Sequence, residues 1–255
     1  MDMDIICPVC GFSKTVQTDK VPEGARWAVC PNCRHRFELP PVVKPVPTQN
    51  GGTPWERRED IGLWQGIYRT FMTVLFSPSG FFREITPDGG MKEPLSFGLL
   101  LGSLGYMAGF FWKFLLVSMG VTSLSNGFLS SIPVSWLFLI GMISSPILVI
   151  LNMFLVGAVV HVLMLAFNAG KGGFNGTLKV IAYGQAAKAL AFIPFIGGGI
   201  GWFWNIAVII PGLKEIHKTS YVKAAAAVII PLILLAVIIM SLILLTSLLK
   251  TIGLQ

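Results

Sequence analysis

The chain has 255 residues, of which 54% are hydrophobic and 12% charged, about half the charged share of an ordinary globular domain. That balance excludes a wholly soluble fold. The net charge of +7 sits on lysines of the apolar part, because the residues before Pro94 carry equal numbers of acids and bases. The surplus therefore argues for a membrane face and against nucleic acid as a partner.

The first ten residues, MDMDIICPVC, are acidic and lack the basic and apolar regions of a secretory signal. They open a segment holding all four cysteines, Cys7, Cys10, Cys30 and Cys33. Two Cys-Pro-x-Cys pairs at this separation match a four-cysteine zinc site. Each turn presents two thiolates to one side of a metal, and two turns close a tetrahedron with no position left for a catalytic water. Gly11 follows the first pair, where a positive φ is often needed. FSKTVQT and RWAVC read as strands of one hairpin joined by DKVPEG. So short a segment cannot build a core alone, so the metal must supply most of its folding free energy. Two disulfides are the alternative, and they require an oxidising compartment. His35, Arg34 and Arg36 read as solvated surface. CPVCGF, TDKVPEGA and CPNCRHRF together resemble the finger-like zinc ribbons found at the N-termini of many bacterial membrane proteins. The boundaries are residues 1–39 for a four-cysteine ribbon holding one structural zinc ion, and 40–54 for a Pro/Gly-rich tether.

Residues 55–93 follow as amphipathic interfacial helices. Ile61, Trp64, Tyr68, Phe71 and Leu75 recur at helical spacing, with Gly62, Gly66, Gln65, Arg69, Thr70 and Thr73 on the other side. This segment either lies in the membrane interface or packs on the rest of the protein, and the two are compatible. Ser77-Pro78 ends it, with serine as cap and proline opening the next turn.

From residue 94 to 255 the apolar runs suit a five-span membrane domain, with spans near 95–117, 134–167, 178–193, 196–213 and 224–249. The second run contains Pro146 and is either one kinked helix or two passes. Loops 118–133 and PFIGG are uncharged, whereas those with Lys171 and Lys179, and with Lys214, Lys218 and Lys223, are basic. Five spans make charged and uncharged loops alternate. The positive-inside rule then puts the N-terminus in the cytoplasm and the C-terminus outside, which favours zinc over disulfides.

Gly98, Gly102, Gly105 and Gly109 form a packing stripe on the first span, toward another helix or a second copy of the chain. Intramembrane polar groups are functional candidates by default. Here they are His161, Tyr183, Gln185, Lys188 and Asn205, with Asn152 less prominent; Lys188 and Lys113 lie near outer ends and can snorkel. There is no intramembrane carboxylate, which weighs against ion-coupled transport. HExxH, a serine-protease set and a phosphate loop are all missing, and GKGGFNGT has the wrong order for the last. No enzyme is expected.

From SPSGFFREI onward, through HVLMLAFNAGKGGFNGTLKVIAYGQAAKALAFIPFIGGGIGWFWNIAVIIPGLKEIHKTSYVKAAAAVIIP, the chain is similar to the Yip family, the Ypt/Rab-interacting membrane proteins, in its bacterial form. Tyr183, Pro194, Gly197, Gly212 and TSYVKA carry most of the likeness. The resemblance implies an all-α polytopic domain of five transmembrane helices with a cytoplasmic N-terminus in the bacterial inner membrane. Eukaryotic members act in vesicle traffic and bind prenylated GTPases, a partner for which a bacterial chain with a zinc ribbon has no evident use. The sequence thus reads as a non-enzymatic membrane scaffold or adaptor whose ribbon recruits a cytoplasmic protein. Lipid surrounds it, and a homo-oligomer is open. The alternative is a passive channel or transporter for a small solute or lipid.

Overall fold

The computed structural model describes residues 2–17, 27–38, 52–87, 89–122 and 132–252. The TDKVPEGA turn, most of the tether and most of the uncharged 118–133 loop lie outside the described residues. The chain forms two compact units, Met1–Gly51 and Gly52–Gln255.

The first unit contains two small antiparallel sheets. Strand β1 (Asp2–Ile6) pairs with β2 (Ser13–Gln17), and β3 (Trp27–Val29) pairs with β4 (Arg36–Glu38). The expected hairpin of FSKTVQT with RWAVC does not form; each strand pairs instead across its own cysteine turn. Ile6 lies opposite Ser13, and Val29 opposite Arg36. The reason is local. The Cys7 N–H donates to the Phe12 carbonyl and the Cys30 N–H to the His35 carbonyl, so each CPxC turn is itself a hairpin tip.

The second unit is helical. Short helices α1 (Arg58–Ile61), α2 (Leu63–Phe76) and α3 (Pro78–Arg83) precede α4 (Lys92–Ser118) and α5 (Val134–Ala166). Helix α6 (Gly173–Gly184) continues as a 3-10 segment, Gln185–Phe192, followed by α7 (Gly197–Ile216) and α8 (Tyr221–Ile252). Among the described residues, α4, α5 and α8 are long and apolar enough to cross a membrane. Helix α5 is continuous through Pro146, so the second apolar run is one helix. The expected third span, 178–193, is divided between α6 and the 3-10 segment. The fourth lies in α7, whose glycine-rich start and Lys214-Glu215 end dilute its apolar content.

The amphipathic segment departs from its periodicity. Gly62, at φ 92°, breaks it, which places Ile61 on a separate helix from the other aromatic-face residues. Helix α2 buries Gly66, Thr70, Val74 and Leu75; three of these four fall on or beside the side read as polar. Small residues at i, i+4 spacing let the backbone approach closely: a Cβ on Gly66 would lie 3.1 Å from the Pro54 carbonyl oxygen. Leu63, Trp64, Tyr68 and Phe76 remain exposed, so the helix packs on the protein and also presents an aromatic face outward. Pro78 opens α3 as expected, but Ser77 makes no side-chain capping bond.

Three of the four stripe glycines of α4 are used within the chain. A Cβ on Gly98 would lie 2.5 Å from the Ala182 carbonyl oxygen, and one on Gly102 would lie 2.8 Å from Val149 of α5. One on Gly105 would collide with the Lys188 carbonyl, whereas one on Gly109 would meet nothing within 4 Å among the described residues. Across the 3-10 segment, a Cβ on Gly201 of α7 would lie 2.6 Å from the Ala187 carbonyl oxygen. The 3-10 segment is therefore clasped between two helices at backbone distance, where carbonyls meet glycine Cα–H groups.

Candidate metal centre and polar sites of the helical unit

The four cysteine sulfurs lie within 4.8 Å of one another, with Cys7 to Cys33 at 3.7 Å and Cys10 to Cys30 at 3.6 Å. All four are free thiols. A tetrahedron with zinc–sulfur bonds of about 2.3 Å has edges of about 3.8 Å, so the donor set fits one structural zinc ion with no vacant position. Asn32 donates its Nδ2 toward Cys10 Sγ at 3.8 Å, as outer donors to metal-bound thiolates do.

The two turns superpose in their bonding. Gly11 N–H donates to the Cys7 carbonyl and Arg34 N–H to the Cys30 carbonyl. Gly11 has φ 70°, and Arg34 at the equivalent place has φ 58°. The glycine was legible in sequence; the left-handed arginine was not. Gly11→Ala is expected to cost about 1 kcal/mol, the left-handed penalty for a residue with a Cβ. Zinc affinity measured by competition with a chelator should fall accordingly, and an unchanged affinity would contradict this role.

In the helical unit, the chain just before α1 is fastened by a polar network. Trp55 N–H donates to Thr70 Oγ1 at 2.8 Å, and its indole N–H reaches the Glu93 carbonyl at 3.0 Å and Ser96 Oγ at 3.1 Å. Arg58 pairs with Glu93 and lies over the Trp55 ring. The buried Tyr183 hydroxyl donates to Glu56 Oε1 at 3.0 Å and meets Thr53 Oγ1 at 3.0 Å. Thr53 and Trp55 are buried.

A second cluster lies where the α5–α6 turn meets the end of α7. His217 is fully buried. Its Nδ1 accepts the Gly172 N–H at 3.0 Å, which leaves Nε2 protonated and donating to Thr177 Oγ1 at 2.9 Å. His161 Nδ1 lies 2.9 Å from the same hydroxyl. Thr177 Oγ1 thus accepts from His217 Nε2–H and bridges the two imidazoles, with the Gly173 carbonyl 3.5 Å away as a further acceptor of its proton.

A third place is a cleft between α4, the 3-10 segment and α7, with Lys188 and Asn205 in its wall. Gln185 is buried elsewhere, its Nε2 donating back to the Ile181 carbonyl at 3.2 Å and its Oε1 without a partner among the described residues.

A family model described as the Yip1 domain matches residues 72–243. The chain belongs to the Yip1 family. A zinc-ribbon domain model matches residues 3–38, covering all four cysteines. Comparison with curated proteins and with solved structures returned no match. The protein is a multi-pass membrane protein, and its N-terminal ribbon fits one zinc ion.

Within the Yip1 domain the five polar residues singled out in the sequence do not form one group. Tyr183 belongs to the Thr53–Glu56 network, His161 to the Thr177–His217 cluster, and Lys188 and Asn205 to the cleft, while Gln185 stands apart. His217 was missed. Its neighbours Lys214 and Lys218 make it look like a residue of a basic, solvated loop, and its burial comes from the Gly170–Gly173 turn packing on the end of α7.

Burial, followed by the neighbouring His161 imidazole, pushes the His217 pKa down to about 4 from an ordinary value of about 6.5. As pH falls below about 6.5, the unfolded chain takes up a proton that the folded one refuses. Stability is therefore complete above about pH 6.5, declines toward pH 4, and loses nothing further from this group below that. The apparent melting temperature in detergent should follow this course, and His217→Asn should flatten it. An identical slope in the variant would remove His217 as its source.

Proposed function

We propose that the protein is a non-enzymatic scaffold or adaptor of the bacterial cytoplasmic membrane, with a cytoplasmic ribbon that recruits a protein partner. The closed four-cysteine site carries this reading. It leaves no position for a reacting ligand, so the metal serves to hold a surface. That surface exposes Val9, Phe12, Trp27 and Val29, and Arg36 lies over the Trp27 ring at 5.1 Å. An exposed tryptophan backed by an arginine combines two of the residue types most enriched at binding hot spots.

Register supports five spans, adding α6 with the 3-10 segment and α7 to the three helices that qualify by length and apolar content. Gly212 faces Val180, Gly184 faces Asn205 and Gly201 faces Ala187, so α6 with the 3-10 segment and α7 run as an antiparallel pair. At the rise of each helix type, residues 173–192 extend roughly 34 Å, enough for a bilayer core. Lys223 Nζ reaches the Phe167 carbonyl at 2.9 Å and Gly172 meets His217, which brings both basic turns to one end. That arrangement supports a cytoplasmic N-terminus and an external C-terminus. The channel reading has less support, since its polar residues are dispersed. A homo-oligomer through the glycine stripe loses three of its four glycines to contacts within the chain.

The test is crosslinking of the native membrane complex followed by affinity purification. Deletion of residues 1–50, and separately Trp27→Ala, should remove the same crosslinked protein while the membrane domain still inserts. Retention of every crosslinked protein in both variants would sink the adaptor reading.

A further inference from the structure

We propose that the cleft between α4, the 3-10 segment and α7 binds the phosphate headgroup of an anionic membrane phospholipid. The cleft has a volume of about 470 Å³, and its wall includes Tyr106, Gly109 and Lys113 of α4, Lys188 of the 3-10 segment, and Trp202 and Asn205 of α7. Its polar groups are mainly donors. Lys188 Nζ donates to the Tyr106 hydroxyl at 3.2 Å and lies 4.4 Å from the ring centre, leaving the phenolic proton for another acceptor. Asn205 has its Oδ1 buried without a partner among the described residues, against the Gly184 backbone, so its amide nitrogen is the accessible atom.

Among the described residues no carboxylate lines this cleft. The only acid after Glu93 is Glu215, held by Lys214 at 2.6 Å and Arg83 at 3.4 Å near the other end of α7. Glu93 is paired with Arg58 and lies 20 residues from Lys113 on the same helix, roughly 30 Å away at helical rise. Two ammonium groups at the edge of an apolar domain call for an anion from outside. The surroundings favour one that carries acyl chains. Trp112 donates to the Ala191 carbonyl at 3.0 Å and packs at a tilt against Phe195, and Phe192, Phe195 and Trp202 are exposed. Such an aromatic girdle marks headgroup depth. Inorganic phosphate would use the lysines but none of this apolar surface.

Ribbon deletion leaves the cleft untouched, so lipid binding there and the adaptor reading can fail separately. The test is native mass spectrometry of the full-length, zinc-loaded protein in mild detergent, offered equimolar phosphatidylglycerol and phosphatidylcholine. One phosphatidylglycerol per chain should be retained in preference. The Lys113→Gln/Lys188→Gln variant should lose about tenfold or more in occupancy, as expected for removing two cations from an anionic headgroup. Gly109→Leu gives a second arm. Among the described residues nothing lies within 4 Å of a Cβ at Gly109, and leucine is the better helix former, so the variant folds and fills the cleft with both lysines in place. It should lose the lipid as well, with unchanged helical circular dichroism. If the lysine variant fails to fold, the Gly109→Leu result decides. Equal phosphatidylglycerol occupancy in wild type and Gly109→Leu overturns the proposal. So does retention of inorganic phosphate or glycerol phosphate in place of lipid, lost on the same substitutions, which would make this a soluble-anion site.

Discussion

Replacing one cysteine in each turn, as Cys7→Ser/Cys30→Ser, is expected to abolish zinc binding and unfold residues 2–38 while the helical unit stays folded. The size of the effect follows from what the ribbon lacks. Among its described side chains only Cys7 and Cys30 are buried, at 2% and 1% exposure, while Phe12, Trp27 and Val29 face outward. The sheets have two strands each, too few to be stable alone in water. Metal binding in such a domain contributes on the order of 10 kcal/mol or more, well above any other term available to it. Zinc measured by atomic emission should fall from one per chain to near zero, and trypsin should cut freely in the first 38 residues. Helical circular dichroism should hold, because the cysteines belong to one compact unit and the helices to the other. Zinc retained at one per chain in this variant would contradict the four-cysteine site.

The features legible in the sequence were those set by short-range chemistry. Cys7, Cys10, Cys30 and Cys33 sit in turns whose geometry depends on five or six consecutive residues, so the metal site could be read from spacing. The apolar lengths of α4, α5 and α8 were equally plain. Strand pairing in the ribbon was misread because the hydrophobic pattern of FSKTVQT and RWAVC does not say which neighbour a strand chooses; the backbone bonds of Cys7 and Cys30 do. The buried side of α2 could not be read from its pattern because in this setting large residues do not mark the interior. Where both the outside and the inside are apolar, Gly66 and Thr70 go in and Trp64 stays out. Tyr183, His161 and Lys188 were found as polar residues in apolar runs, but their partners, Glu56, Thr177 and Tyr106, come from other elements of the fold. His217 carried no signal at all, since only the packing of another turn buries it.

The same rule about small residues yields a prediction with opposite signs at two sites on one helix. Gly109→Ala in α4 should be neutral or stabilising by up to about 1 kcal/mol, the intrinsic helix advantage of alanine. Gly105→Ala, one turn earlier, gains that same advantage and should nevertheless be destabilising by about 2 kcal/mol or more, because overpacking a close contact outweighs it. The difference lies in what each Cβ meets. At Gly109 there is open space among the described residues; at Gly105 there is the backbone of Lys188, its carbonyl oxygen and carbon. A side chain in the way could change rotamer, but a carbonyl moves only with its helix. That helix has no room to retreat, because the Ala187 carbonyl abuts Gly201 of α7 on the other side. Gly105→Ala must therefore push α4 and α7 apart, at a cost spread over both packing faces. Apparent melting temperatures of the two variants in one detergent are the measurement. Equal shifts would mean that α4 and the 3-10 segment are not held at backbone distance. A fall at Gly105 alone would identify that contact as the one on which the three-helix clasp is built.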